Sequence, residues 1–143
     1  MKVSDLIRSI KGPEARANHN LPLYRKAFCD FPAEGKSVVA AGSDSVVLKL
    51  QDGNILKISS RTLTRALEPF DLPVLNSGTT QAEGSTIYYV IQPKAEPATL
   101  SDFAMFLRIL TDHGFRMTDP GIAQIGICQG QVKLLDPFAV AKG

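Results

Sequence analysis

Ser37-Val38-Val39-Ala40-Ala41, Gly42-Ser43-Asp44-Ser45, Val46-Val47-Leu48-Lys49-Leu50, Gln51-Asp52-Gly53-Asn54, Ile55-Leu56-Lys57-Ile58: from residue 37 onward the chain alternates short apolar, β-branched runs with short polar turns. Such runs favour extended backbone, and Asp52-Gly53 between two of them is a hairpin signal because glycine accepts the positive φ of a tight primed turn. The pattern predicts three antiparallel strands. Leu72–Leu75 and Ser85–Ile91 read as two more, separated by a loop over Asn76–Gly84, so the sheet is expected to have five strands. Between the third and fourth, Ser60–Pro69 suits one short helix. Ser60 would be its N-cap, Leu63, Ala66 and Leu67 would share a face, and Pro69 would follow its end.

Working outward, Val3, Leu6, Ile7 and Ile10 fall at the spacing of one helix face, and Gly12-Pro13 ends that pattern. Residues 14–35 have no clean period and read as irregular structure or a short helix, with Leu21, Leu23, Tyr24, Phe28 and Phe31 as apolar anchors. On the other side, Thr99-Leu100-Ser101-Asp102 is a capping-box pattern, and Phe103, Phe106, Leu107 and Leu110 mark the face of a helix ending near Gly114. Ile125–Cys128 and Val132–Leu135 flank Gln129-Gly130-Gln131 as a hairpin, which Asp136-Pro137 closes. The expected class is α+β. A helical or irregular extension (1–36), a sheet segment (37–94) and a helix, loop and hairpin segment (95–143) would make a single compact domain.

Composition narrows the functions available. The 143 residues carry sixteen Lys and Arg against fourteen Asp and Glu, a net charge of +2 with the basic residues scattered, which disfavours an electrostatic nucleic-acid binder. No apolar run approaches the roughly 20 residues of a membrane-spanning helix, and Met1–Asp5 does not open a secretory signal. A cytoplasmic protein with no membrane partner is expected. Cys29 and Cys128, with only His19 and His113 as companions, indicate neither a zinc site nor a disulfide framework. No G-x-S-x-G nucleophile elbow is present, and His113 reads as a residue at a helix C-terminus.

Phosphoryl transfer requires a backbone cradle over the phosphates, a cation on them, a carboxylate at the acceptor hydroxyl, and oxygen ligands for magnesium. Gly42-Ser43-Asp44-Ser45 lies in the first strand–strand turn, and Lys57 lies on the third strand. Gly114-Phe115-Arg116-Met117-Thr118-Asp119 follows the capped helix, Gln124 comes five residues after Asp119, and Asp136-Pro137-Phe138 comes twelve residues further on. In order and spacing, Ser37 to Ala141 resembles a protein kinase reduced to its nucleotide-handling part: a five-stranded N-lobe and a truncated C-lobe. The match is to the strand lysine of V-A-I-K, to G-I-x-H-R-D with its later asparagine, and to D-F-G.

The resemblance implies ATP and magnesium as cofactors. It places Gly42, Ser43, Lys57 and Ile91 on the nucleotide, makes Asp119 catalytic together with Lys57, and gives Gln124 and Asp136 to the metal. Glu68 stands where the helix glutamate that pairs with the strand lysine would be sought, though it also reads as plain surface charge. The chain departs from the family in having one glycine in the turn, Met117 and Thr118 for His and Arg, Gln124 for Asn, and Phe138 for Gly. It has no activation segment and no A-P-E. Two functions follow from the resemblance. One is ATP- and magnesium-dependent transfer to a serine or threonine hydroxyl of a protein substrate. The other is a catalytically inactive, pseudokinase-like module that binds a protein partner. Apolar surface left by the reduced lobe would form a homodimer or partner interface. A prokaryotic, phage or secreted-effector origin fits so small a kinase-like chain.

Overall fold

Five antiparallel strands form the main sheet of the computed structural model, which describes residues 1–143: β1 (Gly35–Ala41), β2 (Ser45–Leu50), β3 (Ile55–Ser59), β4 (Asn76–Ala82) and β5 (Ser85–Gln92). They pair in the order β1-β2-β3-β5-β4. Alternation along β2 and β3 puts Val46, Leu48, Leu50, Leu56 and Ile58 on one buried face. Three short helices, α1 (Val3–Arg8), α2 (Pro13–Ala17) and α3 (Leu21–Ala27), precede the sheet. Val3, Leu6, Ile7, Leu21, Tyr24 and Phe28 from this segment join the same core as the strands. A Cβ on Gly35 would collide with Leu6 Cδ1, so glycine is what lets β1 start against α1. Pro13, which cannot continue a preceding helix, occupies the first turn of α2, where its missing N–H costs nothing.

Met1–Thr62 and Val74–Pro93 make up this unit, and Leu63–Pro73 with Lys94–Gly143 make up a second. The second contains β6 (Glu96–Pro97), α4 (Leu100–Asp112), β7 (Phe115–Met117), β8 (Ile125–Cys128), β9 (Gln131–Leu134) and β10 (Val140–Lys142). The expected capping box opens α4: Thr99 Oγ1 accepts from Asp102 N at 3.2 Å, and Asp102 Oδ2 accepts from Thr99 N at 2.8 Å. The expected hairpin is β8–β9, turned by Gln129 and Gly130 at φ 52° and 76°. β6 pairs with β8, and β7 pairs with β10. Phe70, Phe106, Leu110, Phe115, Ile125, Leu134 and Val140 form the core.

Three expectations are corrected. No helix covers Ser60–Pro69, which is irregular. A helix of two or three turns is marginal without packing, and here the Asp71 carboxylate takes the Glu68 N–H at 2.7 Å and the Arg65 guanidinium, fixing a non-helical path. The fourth strand is not Leu72–Leu75. Leu134 N donates to Phe70 O at 2.8 Å and Leu72 N donates to Leu134 O at 3.0 Å, so Phe70 and Leu72 belong to the second unit, whose core Phe70 joins. Asn76–Ala82, expected as a loop, is the fourth strand, paired along its whole length with β5. It lies at the sheet edge, where it buries only Ala82, which is why its sequence is polar. None of the helices is long and apolar enough to cross a membrane.

Candidate functional site

In the first unit, Gly42 N donates to Ser45 O at 2.9 Å and closes the β1–β2 turn, with Gly42 and Ser43 exposed. Two side chains from the N-terminal segment reach this turn. The Tyr24 hydroxyl donates to Asp44 O, and Asn18 Nδ2 donates to Ser45 O at 3.3 Å. The Asp44 carboxylate accepts from Arg61 Nε at 3.1 Å and from Ser60 Oγ at 3.4 Å, so Ser60 serves this turn rather than a helix. Burial pushes the Tyr24 phenol above its ordinary value. A hydrogen bond from Ser60 works against the shift and the negative charge of Asp44 adds to it.

Lys57 is half-buried on β3, opposite Val47 on β2 and Val90 on β5. Its neighbours Leu56 and Ile58 lie in the core, so the lysine stands on the sheet's other face. Ile91 pairs with Leu56 and packs against the core. The structure therefore separates Lys57 and Ile91 onto opposite faces, and Val90 shares the lysine's face. Glu68 lies in the irregular loop of the second unit and not on a helix.

The second unit brings Asp119 and Gln124 together: Gln124 Nε2 donates to Asp119 Oδ2 at 2.7 Å. Thr118 N donates to Ala139 O at 2.7 Å, and Leu135 N donates to Gln124 O at 2.8 Å, so the backbone on both sides of Asp136 holds the 118–124 segment. Asp136 caps the 3₁₀ turn Pro137–Ala139, its Oδ1 accepting from Phe138 N at 3.0 Å. Gln124, whose amide N–H is turned to Asp119, keeps its Oε1 as a hard oxygen donor. That oxygen and the second oxygen of Asp136 are each of the hard type that magnesium takes. His113 Nδ1 lies 2.8 Å from Ile109 O, and the ring meets Phe70 edge to face, so this imidazole is a structural cap.

Two pairs were missed from the sequence. Asn18 and Tyr24 are one; the other is Arg65 and Asp71, joined by Nη1–Oδ2 and Nη2–Oδ1 bonds of 2.7 and 2.9 Å. Arg65 Nη2 also donates to Pro137 O at 3.2 Å, and its guanidinium lies over the Phe70 and Phe115 rings. The bond to Asp71 holds the Arg65 pKa above its ordinary value. An isolated Arg or Tyr carries no periodic signal, so nothing local in the sequence marks these partners. An open cleft of about 290 Å³, lined by Leu67, Glu68, Leu72, Cys128, Gln129 and Lys133 among others, contains Glu68 but none of the residues expected to hold the nucleotide, the metal or the acceptor. No family model and no curated protein matches this chain.

Proposed function

We propose that the protein is a minimal kinase-like phosphotransferase, moving the γ-phosphoryl group of ATP, with magnesium, to a serine or threonine hydroxyl of a protein substrate. The observation that carries this reading is the Asp119–Gln124 hydrogen bond of 2.7 Å, in a loop fastened by its backbone to the strand end that bears Asp136. A base for the acceptor hydroxyl and an amide oxygen for the metal need to be neighbours with fixed orientation, and one N–H···O bond fixes both side chains. In this reading one oxygen of Asp119 holds Gln124 and the other accepts the acceptor's proton as its oxygen bonds to the γ-phosphorus and ADP departs. Lys57 offsets charge on the phosphates, and Gln124 with Asp136 would hold magnesium, which neutralises the developing charge.

A melting curve taken with ATP, with and without magnesium, tests the reading. A ligand at about a hundred times its Kd stabilises the native state by about 2.7 kcal/mol, so the wild type is expected to melt higher with both present. Asp136→Ala should lose the magnesium-dependent part. Asp119→Asn should keep the shift while transfer to a mixed peptide substrate falls by about a hundredfold or more, the range for loss of a general base. No shift at millimolar ATP would remove the proposal.

The second reading, an inactive module that binds a protein partner, is favoured by α4. Leu100 and Leu107 are 77% and 39% exposed and lie with Ala104 at the i, i+4, i+7 positions of one face. Under that reading Asp136→Ala changes nothing and Leu100→Ser weakens association.

A further inference from the structure

We infer that Tyr24 and Asn18 are positioning residues that hold the Gly42–Ser45 turn in a phosphate-accepting shape, doing by side-chain bonds what extra glycines would do by freedom of φ. The inference rests on the phosphotransferase reading for what the turn receives, and on geometry for how the turn is held. The turn has a single glycine, so it cannot rely on several φ-permissive residues to wrap around an anion. Two consecutive carbonyls in it are instead tied by side chains of the N-terminal segment. The Tyr24 hydroxyl takes Asp44 O, and the Asn18 amide takes Ser45 O.

Both donors are anchored: Tyr24 and Asn18 are 0% and 1% exposed. Asn18 Oδ1 also accepts from Asn20 N at 3.0 Å, which fixes the amide with its N–H₂ toward the turn. In a trans peptide the N–H points away from the preceding C=O. Because Asp44 O is bonded to the buried Tyr24 hydroxyl, that peptide cannot rotate freely, and the Ser45 N–H is fixed on the side away from that bond. The Asp44 carboxylate, which would repel a phosphate, is held by Arg61 and Ser60. Residues from the first 36 thus set the shape of a turn that follows them in the chain.

Tyr24→Phe tests this with the ring left in the core, and Asn18→Ser tests the second tie independently should the first variant fold poorly. Hydrogen exchange on the ligand-free full chain should show faster exchange at Gly42–Ser45 in each variant, with the Leu48 and Leu56 amides unchanged. Loss of one such bond is expected to weaken ATP binding by about three- to tenfold, with the effect on Kd larger than that on kcat. Unchanged exchange at the turn in both variants overturns the inference. Faster exchange with an unchanged ATP Kd also overturns it, since the turn would then be held for a purpose other than phosphates. If the wild type binds no ATP, the phosphotransferase reading fails and the phosphate role of the turn fails with it, whereas ATP binding that neither variant changes removes this inference alone.

Discussion

The first unit is held by area and the second by direction. In the first, Val46, Leu48, Leu56 and Ile58 from the sheet meet Val3, Ile7 and Phe28 from the N-terminal segment, and the core is mostly apolar, with Ser4, Asn18, Gln92 and the Tyr24 hydroxyl as its buried polar groups. In the second, a smaller apolar cluster is crossed by Arg65 and Asp71, with side chains 19% and 2% exposed, which bond to each other and to backbone at both ends of the unit's sequence. Apolar burial tolerates small displacements because it is non-directional. A forked guanidinium–carboxylate pair does not, because its desolvation is offset only at good geometry. A core held by area survives a change of shape better than a change of volume, and a core held by direction does the reverse.

The largest expected effect comes from breaking the directional core. Asp71→Ala should destabilise by about 3–5 kcal/mol, because it leaves a largely buried guanidinium without its counter-ion. The pair Arg65→Met with Asp71→Leu should recover most of that loss. Denaturant midpoints decide it, and a loss below about 1 kcal/mol for Asp71→Ala would place the pair with ordinary surface ion pairs and break the contrast. Leu48→Ala in the first unit should cost about 2–5 kcal/mol. Leu48→Met, which keeps volume and changes shape, should cost less than about 1.5 kcal/mol.

Thr99→Ala should cost about 1 kcal/mol through loss of the α4 cap. Bonds from Thr99 hold the Asp102 carboxyl below its ordinary value of 3.8. The stability this gives is present above that value and is lost as pH falls through the lower folded one, so the melting temperatures of wild type and Asp102→Asn should converge in strong acid. The smallest effect at neutral pH belongs to ionisation of Tyr24. Its phenol is raised above 10.0 by burial, so its contribution is present below that pH and is lost as pH rises through the folded value. A Tyr24→Phe chain should lack that alkaline limb in its melting temperature.

The sequence makes legible what a single buried face or a local bond imposes. β2 and β3 alternate because one face is buried, the Thr99–Asp102 box is four residues long, and the β8–β9 turn has its glycine. β4 is hidden because an edge strand with most of its side chains exposed has no apolar alternation to read. Phe70 and Leu72 mislead for the opposite reason: they are apolar and closely spaced, yet their partner is Leu134, more than sixty residues away. The same divide runs through the site. The spacing of Asp119, Gln124 and Asp136 is a local property that the loop preserves, and the Asp119–Gln124 bond follows from it. That Tyr24 and Asn18 reach the Gly42 turn is a tertiary matter, written nowhere in the residues around either end.

The path of the chain has a consequence for synthesis. Leu63–Pro73 lies between β3 and β4 in sequence but belongs to the second unit. As the chain leaves the ribosome, β3 and β5 can pair as soon as residue 92 has emerged, whereas Phe70 and Leu72 must wait for Leu134 to be made. At about 5–20 residues per second, the sixty-odd residues between Leu72 and Leu134 leave this apolar stretch uncovered for roughly three to twelve seconds. During that interval it is the nascent chain's most exposed invitation to a chaperone or to a neighbouring nascent chain.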